Sequence, residues 1–159
     1  PEEDQIARMI ADGRMIPAKG SLRDWLRAPE LRYSTATLIN NAGMLGSLAP
    51  IDVQDHEQLA SGMVVNLGAP MQLTGAFLKA TAGWSCVRKV MNISSGLAAR
   101  AQAGSSMYCA SKAGLDHFSR CVALEQAQAT NGARVVSVYP GVIDTDMQSD
   151  LRASDSRRT

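Results

Sequence analysis

The sequence predicts an α/β protein built on a parallel sheet, and two observations support this. Short apolar runs typical of buried strands, TATLIN, VRKVMNIS and ARVVSVYPG, alternate with longer segments of helical periodicity. Such alternation is typical of β-α-β units, whose helices cover both faces of a parallel sheet. We expect a doubly wound sheet in which the strands at 37–40, 87–93 and 134–139 are parallel and central. The length favours a single domain over residues 1–159.

The helices are predicted from apolar periodicity and from the residues that interrupt it. A short amphipathic helix is expected within residues 1–13, followed by a short strand and a second helix before residue 29. A long helical region follows the first central strand, and Gly62, Gly68 and Pro70 interrupt it. These residues predict a bend near Asn66. The last long helix begins at SMYCASK and ends at an Asn-Gly pair.

Composition narrows the classes of function. The net charge of +1 argues against nucleic-acid binding, and no apolar run reaches the roughly 18 residues of a membrane span. The acidic N-terminal segment does not resemble a secretion signal. Cys86, Cys109 and Cys121 form no C-x-x-C pair, so we interpret them as buried, reduced thiols of a cytoplasmic protein. His56 and His117 are expected on exposed helix surfaces, and no metal site is predicted.

Unusual residues follow each of the three predicted strands. NNAG follows the first strand, NISSG ends the second, and PGVIDTDM follows the third. In open α/β sheets, ligands bind beyond the carboxyl ends of the strands. We therefore expect all three segments to face one crevice.

A tyrosine and a lysine on the last long helix add a chemical prediction. Tyr108 and Lys112 are four residues apart, so they share one helix face. A nearby ammonium lowers the pKa of a phenol, and such a phenol can donate a proton to a carbonyl or accept one from an alcohol. Ser95, at the end of the second strand, has a hydroxyl that can hydrogen-bond the same oxygen.

Simpler structural interpretations remain open for several of these residues. Tyr108 and Lys112 can form an ordinary surface pair, and Asn66 can satisfy a backbone carbonyl freed by the helix bend. Asn40 and Asn41 can belong to a plain turn. Ser94 is interpreted as a strand-end residue that bonds to the backbone.

Taken together, the motifs resemble the short-chain dehydrogenase/reductase family. They occur in order as NNAG at 40–43, Asn66, NISS at 92–95, YCASK at 108–112 and PGVIDT at 140–145. The resemblance implies a Rossmann-like fold and an oxidoreductase in which a nicotinamide cofactor supplies a hydride. It implies Tyr108 as general acid and base, and Lys112 as the residue that binds the nicotinamide ribose and lowers the tyrosine pKa. Ser95 would hold the carbonyl oxygen, and Asn66 would position a water in a proton relay.

Within that family, IDTDMQ at 143–148, YCASKAGLD and ALE are similar to sepiapterin reductase and related bacterial carbonyl (benzil-type) reductases. This similarity implies NADPH, with NAD left open, and a carbonyl or alcohol substrate such as a vicinal dicarbonyl or a pterin side chain. The implied substrate residues are Ser95, Gly96 and Gly141. The implied cofactor residues are Asn41, Ala42, Gly43, Tyr108, Lys112, Pro140, Gly141, Ile143, Asp144, Thr145, Asp146, Met147 and Gln148.

The sequence departs from the family pattern at both ends. No G-x-x-x-G-x-G loop occurs, and Gly20-Ser21 stands where an acidic residue usually edges the adenine. We expect a chain truncated at both ends, without the first β-α-β unit and the last helix and strand. A non-catalytic binding or regulatory module is therefore the alternative function. The family also implies a homodimer or homotetramer, associating through helices at 55–80 and 107–128 that carry the small residues Gly62, Gly68, Ala110, Ala113 and Gly114.

Overall fold

The protein is described by a computed structural model over residues 34–141, all of which belong to one compact unit. The elements expected in residues 1–33 and beyond residue 141 lie outside this range, so the single-domain prediction for residues 1–159 stays a prediction. Two 3₁₀ turns, Ile51–Val53 and Gly96–Ala98, accompany the main elements. The main elements, in chain order, are β1 (Thr35–Asn40), α1 (His56–Met63), a π-helical segment (Val64–Gly68), α2 (Ala69–Ala80), β2 (Val87–Ile93), α3 (Ser106–Ala127) and β3 (Arg134–Val138).

The three strands form a parallel sheet in the order β1-β2-β3. Thr35 of β1 pairs with Val87 of β2, and Lys89 of β2 pairs with Arg134 of β3. The predicted strands and their parallel direction are confirmed. Their carboxyl ends meet at one edge of the sheet, where the motif-bearing loops begin.

Side chains alternate across the sheet, as period-2 strand geometry requires. Ala36, Val90 and Val135 are buried beneath α2 and α3, whereas Ile39 and Val136 on the opposite face are exposed. The described helices therefore cover one face of the sheet. The helices that the sequence predicts for the other face belong to residues outside the described range.

Where the sequence predicts a bend in the long helical region, a π-helical segment lies between α1 and α2. Asn66 lies at its centre and is completely buried. The Asp55 side chain caps α1 by accepting a 2.9 Å hydrogen bond from the Gln58 amide. Pro70 lies in the first turn of α2, where its missing N–H costs no intrahelical hydrogen bond. The wide turn therefore occurs between two regular helices.

Met107, the residue before Tyr108, packs between two glycines. A Cβ at Gly62 of α1 would lie 2.4 Å from the Met107 sulfur, and one at Gly46 would lie 2.7 Å from its methyl carbon. Gly46 also has φ +73°, which favours glycine. The methionine thus fastens the loop after β1 and helix α1 to the start of α3.

The cysteines are free thiols, but the prediction that all three are buried is wrong. Cys86 is buried, Cys109 is half-buried, and Cys121 is exposed because it lies on the outer face of α3. His56 and His117 are exposed on helices, as predicted. No cluster of three or more His, Cys, Asp or Glu side chains suited to a metal lies within residues 34–141. In that same range, each helix is too short or too polar to cross a membrane.

Candidate active site

A buried chain of polar side chains braces the sheet edge where the site lies. Asn40 at the end of β1 donates to Asn92 Oδ1 at 2.7 Å and to Thr74 Oγ1 of α2 at 3.2 Å. Asn92 of β2 donates in turn to Ser119 Oγ of α3 at 2.8 Å. Because these groups are buried, each hydrogen bond offsets a desolvation cost. Asn40 is therefore a sheet brace rather than a plain turn residue, whereas Asn41 is exposed.

Asn66 uses its carboxamide to hold the loop that follows β1. Its Oδ1 accepts from the Met44 amide at 2.8 Å, and its Nδ2 donates to the Met44 carbonyl at 2.8 Å and to Ser111 Oγ at 3.1 Å. Both amide protons are thus committed to protein partners. Asn66 does satisfy a backbone carbonyl, but the carbonyl belongs to the loop and not to the bent helix. A role in a water-mediated proton relay stays a prediction.

Tyr108 lies in an apolar cluster with Leu45 and Leu97, at the first turn of α3. The Ser95 hydroxyl lies close enough to the phenol to lower its pKa, so the structure brings Ser95 and Tyr108 together. Ser95 Oγ also accepts the Leu97 amide at 3.2 Å, and this contact fixes its position at the end of β2. Burial of Tyr108 excludes the surface-pair interpretation.

Lys112 is 4% exposed, one helical turn after Tyr108. Its ammonium donates to the Ile93 carbonyl at 2.8 Å and lies 5.7 Å from the centroid of the Tyr108 ring. Gly43 borders the same ammonium, because a Cβ added there would lie 3.5 Å from both Lys112 Nζ and Asn66 Oδ1. Two of the strand-end motifs, NNAG through Gly43 and NISSG through Ile93, thus meet beside one lysine.

The pKa of Tyr108 differs in direction from the expectation. Burial raises the pKa of the phenol above its ordinary value, and the Ser95 hydrogen bond only partly opposes this. Burial also lowers the pKa of Lys112, opposed by the attraction of Asp116. The phenol therefore holds its proton at neutral pH, as a proton donor must.

The remaining predicted residues are less closely engaged. Ser94 bonds to the backbone as expected. Its hydroxyl donates to the Lys112 carbonyl at 3.5 Å, and its amide donates to the Val138 carbonyl at 2.9 Å. Ala42, Gly96, Pro140 and Gly141 are exposed beside the strand ends, and their ligand roles stay predictions. The residues Ile143, Asp144, Thr145, Asp146, Met147 and Gln148 lie outside the described range.

Sequence reasoning missed three residues that organise the site. Asn92 lies inside a quoted motif, and its polar side chain in a buried strand was the available signal. Ser111 precedes Lys112 and joins Asn66 to α3. Asp116 follows Lys112 by one helical turn, a spacing that could have drawn attention to it. The roles of these polar side chains depend on contacts that form only in the folded chain.

Comparison with known proteins decides the family. The family model for short chain dehydrogenase matches residues 33–156. The chain belongs to the short-chain dehydrogenase family. It is 40% identical over 123 residues to a benzil reductase ((S)-benzoin forming) of Bacillus cereus, covering 77% of this chain and 49% of the relative. It is 37% identical over 120 residues to the sepiapterin reductase of Bos taurus, covering 72% of this chain and 43% of that protein.

Solved structures of the family give the same architecture. A short-chain dehydrogenase/reductase from Burkholderia vietnamiensis is 35% identical, with a TM-score of 0.63 over 86% of this chain and 63% of that one. A 4-hydroxyisoleucine dehydrogenase complexed with NADH and succinate is 25% identical, with a TM-score of 0.66 over 86% and 65% of the two chains. The Rossmann-like fold class is confirmed. The chain spans about half the length of the curated relatives it matches.

Proposed function

We propose that the protein is an oxidoreductase that transfers a hydride between a nicotinamide cofactor and a carbonyl or alcohol substrate. The observation that carries this proposal is the convergence of Ser95 and Lys112 on the buried phenol of Tyr108. Family membership supports it independently. The three groups lie at the carboxyl edge of a parallel sheet, where ligands of such folds bind.

The residues around Lys112 fit the ribose end of such a cofactor. The ammonium has three N–H donors, of which one meets the Ile93 carbonyl, so others remain for a diol. Gly43 leaves the space in front of that ammonium open, since a Cβ there would contact it at 3.5 Å. Bound at this edge, the nicotinamide would supply the hydride that no protein side chain can provide.

The chain's own residues supply the proton and hold the reacting oxygen. The Tyr108 phenol, which is protonated at neutral pH, donates a proton to the carbonyl oxygen during reduction. Ser95 donates a hydrogen bond to that oxygen and orients it. Lys112 stabilises the phenolate that remains after proton transfer. Asn66 holds the Met44 segment against α3, so the edge of the site keeps its shape.

The relatives support a proposal for the substrate class. Several of them are benzil or sepiapterin reductases, so we favour a vicinal dicarbonyl or a pterin side chain as substrate and NADPH as reductant. NADH is the competing cofactor, because a structural neighbour is a complex with NADH. The apolar cluster of Leu45, Leu97 and Tyr108 suits an apolar substituent beside the carbonyl.

The direct test is consumption of NADPH and NADH by the complete protein with a panel of aryl dicarbonyls, pterins and simple ketones. We expect reduction of vicinal dicarbonyls, with Ser95→Ala lowering kcat/KM on the order of 10-fold or more. Cofactor binding without turnover of any carbonyl would favour the alternative, a non-catalytic binding module.

The proposal extends to assembly and location. Met63, Val64, Met71 and Leu73 expose apolar surface on α1, the π segment and α2, and Leu124 does so on α3. Such a surface suits association with a second copy in a cytoplasmic homodimer or homotetramer. Within the chain, Gly62 packs against Met107 and Gly114 against Leu67. Light scattering at micromolar concentration checks this part, and a monomer would contradict it.

A further inference from the structure

Helix α3 carries a polar stripe that extends beyond the two residues of the proposed chemistry. Tyr108, Lys112, Asp116 and Ser119 follow one another at helical spacing and are all buried. The proposed function uses Tyr108 and Lys112, and Ser119 braces Asn92. The proposed function leaves Asp116, a buried carboxylate, without a role. Such a group is costly unless hydrogen bonds and an opposite charge compensate it.

Asp116 is compensated by hydroxyl groups from the ends of two strands. Ser137 Oγ of β3 donates to Oδ1 at 2.5 Å, and the Tyr139 hydroxyl, just after β3, donates to Oδ2. The Ser94 hydroxyl, at the end of β2, lies close enough to the carboxylate to lower its pKa as well. These contacts outweigh burial and hold the pKa of Asp116 below its ordinary range. The carboxylate is therefore ionised at neutral pH.

Lys112 lies one helical turn before Asp116 on the same buried face of α3, and Arg120, one turn after Asp116, also attracts the carboxylate. Burial alone lowers the pKa of Lys112, and the attraction of Asp116 counteracts that effect. On α3 itself, Tyr108 and Arg120 are the other charged or titratable neighbours of this pair. Among the elements packed against α3, the segment after β3 contributes one titratable group to this pair, Tyr139. The π segment and the end of β2 contribute only uncharged side chains and backbone atoms.

We propose that Asp116 is a positioning residue for Lys112, supplying its buried counter-charge and tying the ends of β2 and β3 to the same helix face. The proposal rests on the proposed function, because Lys112 matters for catalysis only if the site binds a nicotinamide cofactor. The hydrogen bonds of Asp116 go to Ser137 and Tyr139 and not to Ser95, Tyr108 or Lys112. It acts through Lys112, which has to stay an ammonium to donate to a ribose and to stabilise a phenolate.

The strand ends give this residue a second effect. Ser94 precedes Ser95, and Tyr139 precedes Pro140, so the partners of Asp116 adjoin the two segments predicted to hold substrate and cofactor. One carboxylate thus couples the charge of Lys112 to the position of both loops. We therefore expect a change at Asp116 to affect cofactor affinity more than proton donation by Tyr108.

The test follows the titration of Lys112 by NMR of ¹³C-labelled lysine in the complete protein, with the signal assigned by its loss in Lys112→Arg. In Asp116→Asn, which keeps shape and removes charge, we expect Lys112 to titrate at lower pH than in the wild type. Glu125→Gln is the matched control, since it removes an exposed carboxylate from the same helix. It should leave the titration unchanged.

A second pair of variants keeps the test decisive. Asp116→Glu keeps the charge and should restore the wild-type titration, and Asp116→Ser repeats the comparison if the asparagine variant fails to fold. In Asp116→Asn the cofactor KM should rise by at least about threefold at pH values where Lys112 has begun to lose its proton, with a smaller change in kcat.

An unchanged Lys112 titration in folded Asp116→Asn overturns the proposal. The NMR measurement needs no turnover, so it is independent of the proposed function. A wild-type protein that reduces no carbonyl would overturn that function and leave the titration result interpretable.

Discussion

The two tyrosines of the described residues carry phenols with raised pKa values for different reasons. Tyr108 is buried in an apolar cluster, and burial is the main cause of its shift. Tyr139 is half exposed, and its hydroxyl is bound to the Asp116 carboxylate, which is the main cause of the shift there. The same direction of shift thus arises from loss of water in one region and from a neighbouring anion in the other.

The difference determines which proton is available to a ligand. The Tyr108 hydroxyl donates to no carboxylate among the described residues, and the nearby Ser95 hydroxyl lowers the pKa of the phenol. Tyr139 donates its proton to Asp116. A raised pKa therefore does not by itself identify a catalytic acid; the bond of the Tyr139 proton to a carboxylate separates the two residues.

Replacing each phenol by phenylalanine gives the largest expected contrast. Tyr108→Phe removes the proton donor while preserving shape, so kcat for carbonyl reduction should fall by at least about 100-fold with little change in cofactor affinity. Tyr139→Phe should keep kcat within about threefold of the wild type. Steady-state kinetics and cofactor titration measure both. Comparable losses in the two variants would end the distinction drawn between them.

Loss of Asn66 tests how the Tyr108 region is held together. Asn66→Ala removes hydrogen bonds to Met44 and Ser111 and leaves buried groups unpaired, so the free energy of unfolding should fall by about 2–3 kcal/mol. Cofactor affinity should fall as well, because the Met44 loop loosens. Ser137→Ala, which removes one hydroxyl partner in the Tyr139 region, serves as the comparison. Urea unfolding distinguishes them, and equal losses would count against the special role of the loop.

Lys112 lies between the two regions, and its removal sharpens the comparison. Lys112→Met should weaken cofactor binding by about 10-fold, the value of a hydrogen bond to a charged group. It should also move the onset of alcohol oxidation to higher pH. Oxidation needs the phenolate, and removal of the nearby ammonium raises the phenol pKa further. A pH profile that coincides with that of the wild type would show that the lysine does not act on Tyr108.

The smallest expected effect concerns the packing beside Tyr108. Gly62→Ala places a methyl group against the end of the Met107 side chain, which has to shift, so the free energy of unfolding should fall by about 1 kcal/mol. Adding Met107→Ala should remove this clash, leaving the double variant no less stable than Met107→Ala alone. Thermal unfolding of the four proteins forms a double-mutant cycle, and simple additivity would refute the contact.

Much of the fold could be predicted because strand and helix periodicities are local properties of the sequence. The strands, their parallel direction and the bend at Asn66 all follow from such patterns. The convergence of Ser95, Tyr108 and Lys112 was also predictable, since the carboxyl ends of parallel strands share one edge. The π-helical form of the bend was not, because glycine and proline only mark a weak point in a helix.

The electrostatics of the site could not be predicted from spacing alone. The four-residue interval between Tyr108 and Lys112 suggests a lowered phenol pKa, but burial among Leu45 and Leu97 reverses the direction. The packing of Gly62 against Met107 was likewise not predictable, because it depends on a contact between distant parts of the chain. Desolvation and close packing are properties of the assembled core.

The π-helical segment has a consequence for insertions and deletions. A π-helical turn contains about one residue more than an α-helical turn, so it absorbs an extra residue without rotating the helices on either side. Deleting one residue within Val64–Gly68 should therefore leave Thr74 and Phe77 facing the sheet. Deleting one residue in α2 ahead of Thr74 would instead turn them away by about 100° and separate Thr74 from Asn40. In this helix the same single-residue change in length is tolerated at one turn and disruptive at the next.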